Sequence, residues 1–220
     1  MMRRNIALIP AAGVGARFGA GKPKQYVEIN GKTVLQHTIE IFEQHPRIDL
    51  IAVILSPEDS VFQTALSEKV RVFRVGGASR AETVRNGVST LLEQGLAEAQ
   101  DNILVHDAAR CCLPAEALTR LLDEAGENDE GGILAIPVAD TLKRADGSHH
   151  IDETVARAGL WQAQTPQLFQ TALLNRALSV DDLSEITDEA SAVEKLGIRP
   201  RLVQGDTRNL KLTLPQDEYI

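Results

Sequence analysis

The chain has little cysteine, no excess of positive charge and no long apolar run, and each shortage narrows its chemistry. Only two cysteines occur, the adjacent Cys111 and Cys112. Neighbouring cysteines suit disulfide geometry poorly, so no disulfide framework is implied and a reducing cytoplasm is the expected compartment. Lys and Arg number 23 against 31 Asp and Glu, a formal charge of −8, and no tract concentrates basic residues, which argues against a nucleic-acid partner. An anionic substrate must then be drawn in by a local cation cluster working against the overall field. No run of about 20 apolar residues exists, so no membrane span is expected. Ile6 to Pro10, after the basic Met1 to Arg4, is too short for the core of a signal sequence. Internal repeats and low-complexity segments are missing as well.

What is present points to one domain over residues 1–220, long enough for a full core at 43% hydrophobic content. Short apolar runs recur: NIALIP at Asn5, LIAVIL at Leu50, VRVFRV at Val70, NILVH at Asn102 and GILAIPV at Gly132. Each reads as a buried parallel strand. Helical spacing lies between them, in Leu35, Ile39 and Phe42, in Val84, Val88 and Leu91, and in Leu118, Leu121 and Leu122. Thr33 with Gln36 and Ser79 with Glu82 fit the capping-box spacing, and Pro114 suits a first helical position. The alternation predicts an α/β fold, a single doubly wound, mostly parallel, Rossmann-like sheet.

The rhythm breaks over 139–160. Two polar extended stretches flank Asp146-Gly147, a dipeptide that favours a tight hairpin turn. Such an arm has little apolar surface of its own, so it is expected to pack on a second subunit, in a homodimer. Helical pattern returns at 170–178 and at 188–196, with Gly197 as a C-cap. RPRLV and NLKLTL are late extended runs, and LPQDEYI reads as a final helix cut short.

The densest motif is PAAGVGARFGAGKPKQY, from Pro10 to Tyr26. It fails the dinucleotide fingerprint narrowly, since Phe18 stands where the third glycine belongs. The Walker A pattern fails twice, at Ala16 and at Pro23. What remains is a strand and a glycine-rich turn whose backbone N–H groups can approach an anion, with Arg17 and Lys24 reaching over it. A tight turn with solvated cations is the structural alternative. The place, at the carboxyl end of the first strand, is where open α/β sheets bind ligands, which favours the phosphate reading.

That stretch resembles the nucleotidyltransferases that attach a nucleoside monophosphate to a phosphorylated small molecule. Its PKQY ending narrows the resemblance to the cytidylyltransferases of isoprenoid-precursor synthesis, the 2-C-methyl-D-erythritol 4-phosphate cytidylyltransferase family. GGASRAETVRNG from Gly76, VHDAAR from Val105, DTLKR with RAGLWQAQTPQLF, ITDEASAVE from Ile186 and NLKLT near the end agree in order and spacing. The resemblance covers nearly the whole chain.

It implies transfer of CMP from CTP to 2-C-methyl-D-erythritol 4-phosphate, with pyrophosphate released. It also implies Arg17, Lys24 and Lys211 as the catalytic cations. Ala11, Ala12, Gly13, Gly15, Gly77, Thr83 and Ala108 would hold the nucleotide, and Asp107 would bind Mg²⁺. Arg110, Thr141, Arg157, Thr165 and Thr187 would hold the acceptor, with one subunit's arm completing the other's site. From the letters alone, Asp107 is equally a helix N-cap, GGAS a turn before a capped helix, and Lys211 an edge-strand lysine. His106 reads as a strand residue, His149 and His150 as solvated, Lys143 and Arg144 as a charged face, and Trp161 as packing. Cys111 departs from the family, which commonly has proline there. A cytidylyltransferase acting on ribitol 5-phosphate and a non-catalytic CTP-binding protein are the alternatives.

Overall fold

A computed structural model describes residues 2–13, 23–64, 66–213 and 217. Gly15 and Arg17 of the glycine-rich turn lie outside the described residues, as does most of LPQDEYI. Strand β1 (Asn5–Ala11) is followed by a single 3-10 turn (Lys24–Tyr26) and a small pair, β2 (Glu28–Ile29) and β3 (Lys32–Thr33). Then come helix α1 (Val34–Glu43), β4 (Leu50–Leu55), β5 (Val70–Phe73), α2 (Arg80–Glu93) and β6 (Asn102–Val105). After α3 (Ala115–Ala125) and β7 (Gly132–Pro137), the chain makes β8 (Leu142–Ala145) and β9 (Ile151–Val155). It finishes through β10 (Trp161–Gln170), α4 (Thr171–Leu178), α5 (Glu189–Glu194) and β11 (Arg201–Gln204).

The central sheet has seven strands in the order β11-β7-β10-β6-β1-β4-β5. β1 runs parallel to β4 and β6 and β4 to β5, as the apolar runs predict, and β11, read only as extended, pairs parallel with β7. β10 is antiparallel to both β6 and β7. Its sequence, WQAQTPQLFQ, hides the strand: its first three residues are exposed, and Pro166 interrupts a ladder that is irregular between Ala163 and Gln167.

Period-two alternation sends neighbouring strand residues into two separate cores. Ala7 and Ile9 of β1 pack with Leu35, Ile39 and Phe42 of α1 on one face. Ile6 and Leu8 pack with Val84, Val88 and Leu91 of α2 on the other, where α4 and α5 also lie. β4 is buried at all six positions because helices cover it on both sides. Phe42 is fully buried, so its truncation to Ala would cost about 3–5 kcal/mol.

Local details differ from the sequence expectation in four places. Thr33 and Ser79 do cap α1 and α2 by accepting from Gln36 N and Glu82 N. The reciprocal bonds are missing, because Gln36 turns to Glu40 and Glu82 accepts from Ala78 N. The complete capping box is instead at α5, between Asp188 and Ser191. Pro114 is the N-cap of α3, one residue before the expected first helical position.

Asp146-Gly147 does not make a two-residue turn. The loop runs over 146–150, and the Asp146 carboxylate accepts from Ser148 N and His150 N while His149 takes a positive φ of 63°. NLKLT, finally, is not a sheet strand. It is tied to the body by Leu212 N donating to Ala109 O at 3.0 Å.

The arm forms its own two-stranded sheet, apart from the central one. Every residue from 139 to 160 is exposed except the half-buried Leu142 and Val155. Trp161, expected to pack, is 38% exposed at the base of the arm. Among the described residues, no helix is long and apolar enough to cross a membrane.

Candidate active site

The carboxyl ends of β1, β4 and β6 meet where the sheet order changes direction, and a cleft of about 400 Å³ opens there. From the glycine-rich stretch, Ala11, Ala12, Gly13 and Lys24 line it. Gly77, Thr83, Asp107, Ala108 and Lys211 line the other walls. All of the residues expected to hold nucleotide or phosphate therefore share one cavity, apart from Gly15 and Arg17, which are not described.

Small residues are needed here because the chain crowds itself. A Cβ on Gly76 would lie 2.3 Å from the Ala12 Cβ and 2.7 Å from Leu55 O, so only glycine lets this loop close against the ends of β1 and β4. The Thr83 hydroxyl accepts from Gly77 N at 3.1 Å and donates to Ser79 O at 2.9 Å, which fixes the loop at the start of α2. Gln25 donates to Ala11 O and Gly13 O and so ties the Lys24–Tyr26 turn to the carboxyl end of β1. Lys24 Nζ donates to Leu212 O at 3.3 Å.

Asp107 is the electrostatic centre. Its carboxylate takes Arg80 Nε at 2.8 Å, Lys211 Nζ at 3.1 Å and Arg110 Nε at 3.4 Å. Burial pushes its pKa up, but the charges of Arg80, Lys211 and Arg110 overcome that and hold the carboxyl well below the usual carboxylate range. Lys211 is therefore not an edge-strand lysine, and Asp107 does not cap a helix: no helix begins until Ala115.

Behind Asp107 runs a proton-ordered chain. His106 is fully buried; Arg110 O can only accept, so His106 Nε2 carries the proton and donates to it at 2.8 Å. Nδ1 then accepts from the Thr165 hydroxyl at 2.8 Å, and the same hydroxyl oxygen accepts from Asp107 N at 3.1 Å. Desolvation pushes the His106 pKa down to about 4, so the ring is neutral at pH 7.

A second cavity of about 200 Å³ adjoins the first through Asp107, Arg80 and Lys211. Arg110, Thr165 and Thr187 all line it. Thr141 and Arg157 line neither cavity; both are exposed on the arm.

Two residues escaped the sequence reading. Arg80 Nη1 and Nη2 donate to the two carboxylate oxygens of Glu189 at 2.7 and 3.2 Å, while its Nε holds Asp107. Glu189 is 1% exposed, and α5 is held to β10 by Gln167, which donates to Asp188 and accepts from Ala190 N. The only signal was type and place: a basic residue in the first turn of the helix after GGAS, and an acidic one in ITDEASAVE. Nothing in the letters pairs positions 109 residues apart.

Lys24, Arg80, Arg110 and Lys211 line the two cavities with Asp107 and Asp188, and Glu189 lies behind Arg80, so four cations meet three carboxylates and the site keeps a local cation surplus in a chain of charge −8. Among the described residues, no three His, Cys, Asp or Glu side chains are grouped to hold a metal. Asp107 fits a divalent ion only as a single carboxylate ligand, the remaining ligands coming from bound phosphate and water, which is how Mg²⁺ commonly sits.

A doubly wound sheet with a cation-rich cleft at its switch point, beside a second small polar cavity, defines an α/β protein that handles phosphate-bearing ligands in two adjoining subsites. Residues 5–220 match the family described as "IspD: 2-C-methyl-D-erythritol 4-phosphate cytidylyltransferase". The chain is 70% identical over 223 residues to a protein of that name from Neisseria meningitidis serogroup C, covering 100% of this chain and 96% of the relative. A crystal structure of a 4-diphosphocytidyl-2C-methyl-D-erythritol synthase superposes with a TM-score of 0.89 at 63% identity, covering 100% of this chain and 97% of that one. The Francisella tularensis 2-C-methyl-D-erythritol 4-phosphate cytidylyltransferase superposes at 0.82 with 32% identity, covering 98% and 97%. The chain belongs to the 2-C-methyl-D-erythritol 4-phosphate cytidylyltransferase family.

Proposed function

We propose that the chain transfers CMP from CTP to 2-C-methyl-D-erythritol 4-phosphate at the junction of the two cavities. Pyrophosphate leaves and 4-diphosphocytidyl-2-C-methyl-D-erythritol forms. The observation that carries this reading is that Lys24, Asp107 and Lys211, from three distant segments, line one cleft in a member of this family.

The acceptor's phosphate oxygen attacks the α-phosphorus in line. It is already anionic at neutral pH, so no general base is needed. Negative charge builds on the equatorial and leaving oxygens, and catalysis is mostly positioning and electrostatic stabilisation. Lys24, with Arg17 and the loop N–H groups, holds the triphosphate. Lys211 leaves Asp107 for the α-phosphate, and the cation pays little for the exchange because it trades one anion for another. Asp107 would hold Mg²⁺, which supplies charge neutralisation on the phosphates. Arg80, fixed by Glu189, keeps the Asp107 carboxylate aimed into the cleft.

Arg110 and Thr187 contact the acceptor. The Thr165 hydroxyl is engaged inward with His106 and Asp107, so Thr165 acts by shaping the pocket. Thr141 and Arg157 reach an acceptor site from the arm of a partner subunit. The support for a homodimer is an arm without a core, bearing Ile151 at 68% and Leu160 at 41% exposure. The free thiols Cys111 and Cys112 accord with a reducing cytoplasm.

Pyrophosphate release measured with CTP and each acceptor tests the activity. Turnover with 2-C-methyl-D-erythritol 4-phosphate and little with ribitol 5-phosphate is expected; the reverse order would remove the acceptor assignment. Sedimentation at micromolar concentration showing a monomer would remove the dimer.

A further inference from the structure

We propose that Cys111 and Cys112 form a two-sulfur chelating site for thiophilic electrophiles of the monosubstituted trivalent arsenical class, and that filling it weakens acceptor binding through Arg110. The second half rests on the reading of Arg110 as an acceptor contact.

The two Sγ atoms stand 3.9 Å apart, and both thiols are free. An S–S bond needs about 2.05 Å between sulfurs and Cα atoms at least ~4.4 Å apart, whereas adjacent Cα atoms are held at about 3.8 Å by a trans peptide. Closing a disulfide would force the backbone to move. A single bridging atom has no such requirement. With bonds near the ~2.3 Å of a metal–thiolate and the roughly 100° angle of a pyramidal trivalent centre, it spans sulfurs about 3.5 Å apart, within a small side-chain adjustment of the spacing already present.

The surroundings select the ligand. Among the described residues, no third metal-binding side chain groups with the pair, so the ligand must be satisfied by two sulfurs. The pair lies on a cleft of about 900 Å³, separate from both cavities of the active site, with Ile29, Leu210 and Leu212 on its wall. That leaves room and apolar surface for an organic substituent. Cys112 is exposed and Cys111 half-buried, and burial with the neighbouring Cys112 pushes the Cys111 thiol up to about 12. Cys112 therefore attacks first and Cys111 closes the ring.

The chemistry balances without an oxidant. An arsenoxide, R–As=O, reacts with the two thiols: two As–S bonds form, the As=O bond is lost, and both thiol protons leave with that oxygen as one water. Arsenic stays trivalent, and both sulfurs keep their oxidation level.

Occupancy reaches Arg110 by a short path. Cys111 follows Arg110 directly and packs on the small core of Val34, Ala109 and Leu212. Arg110 spans from Asp107 to Asn209 O, so its guanidinium depends on the register between this loop and the 209–212 segment. A substituent held on Cys111 presses on Leu210 and Leu212, which form both the cleft wall and that seam.

The test treats the full chain with phenylarsine oxide and reads intact mass, titratable thiols and kinetics. One adduct per chain is expected, with both of the chain's two thiols consumed, reversed by 2,3-dimercaptopropanol and not by 2-mercaptoethanol. The acceptor KM should rise about tenfold or more, as when one charge-assisted contact is lost, with the KM for CTP unchanged. Cys112→Ser, at an exposed position, should form no monothiol-resistant adduct. Two adducts per chain, or a resistant adduct on Cys112→Ser, would overturn the chelate. A single adduct with an unchanged acceptor KM would overturn the coupling. A rise in the KM for CTP alone would count against the role given to Arg110, leaving the chelate standing.

Discussion

Glu189 lines neither cavity, yet it holds Arg80, which lines both. The informative change is Glu189→Gln, which keeps shape but replaces a carboxylate that receives two N–H groups from Arg80 at 2.7 and 3.2 Å. Breaking a buried ion pair by removing one partner costs about 3–5 kcal/mol. Here Glu189 is buried, but the Arg80 side chain is 30% exposed and retains Asp107, so the expected loss is about 2–3 kcal/mol. In a chain of this size that lowers Tm by about 5–10 °C.

Urea unfolding should show a lower midpoint at unchanged m, because the same surface is exposed. A double-mutant cycle with Arg80→Met should return a coupling of about 1 kcal/mol or more. Turnover should fall too, since Arg80 would no longer hold Asp107 from a fixed point. A loss below about 0.5 kcal/mol, the worth of an exposed pair, would show that water already screens this contact and would refute the positioning role.

Lys24→Ala and Lys211→Ala should each lower kcat about a hundredfold or more while the fold persists, read as pyrophosphate release beside thermal unfolding. Near wild-type turnover in both would sink the phosphate clamp. Asp107→Asn should reduce activity and raise the Mg²⁺ concentration giving half-maximal rate; an unchanged metal dependence would confine Asp107 to holding Arg80 and Lys211. His106 is neutral when folded, with a pKa near 4, but binds a proton below about 6.5 when unfolded. Its contribution to stability is therefore complete above pH 6.5 and is lost progressively towards pH 4, by about 3 kcal/mol, so His106→Gln should flatten the stability profile in that window. Arg157→Ala should raise the acceptor KM and spare the KM for CTP, and a change in CTP instead would move Arg157 to the other subsite.

Legibility in the sequence followed how locally each feature is determined. LIAVIL became β4 with the same bounds because six apolar residues flanked by turns have few other uses. Thr33 and Ser79 were readable because a cap acts over three residues. β10 was not, since its partners β6 and β7 are assigned by topology and its exposed start carries no apolar alternation. Asp146-Gly147 misled because the Asp146 carboxylate takes over the loop and lengthens the turn to five residues.

The site divides the same way. Resemblance placed Gly77, Thr83, Asp107 and Lys211 in sequence, and the fold sets them around one cleft. What orders them is long-range: Arg80 with Glu189, His106 with Thr165, and Leu212 with Ala109. Asp107 gathers Arg80, Lys211 and Arg110 on one carboxylate. On the proposed function, an arriving phosphate would meet cations that are partly buried and already aimed, and would compete with Asp107 for Lys211. On the same reading, this is how an acidic protein would draw in two anionic substrates: Lys24, Arg80, Arg110 and Lys211 outnumber Asp107, Asp188 and Glu189 at the site, against a net charge of the opposite sign.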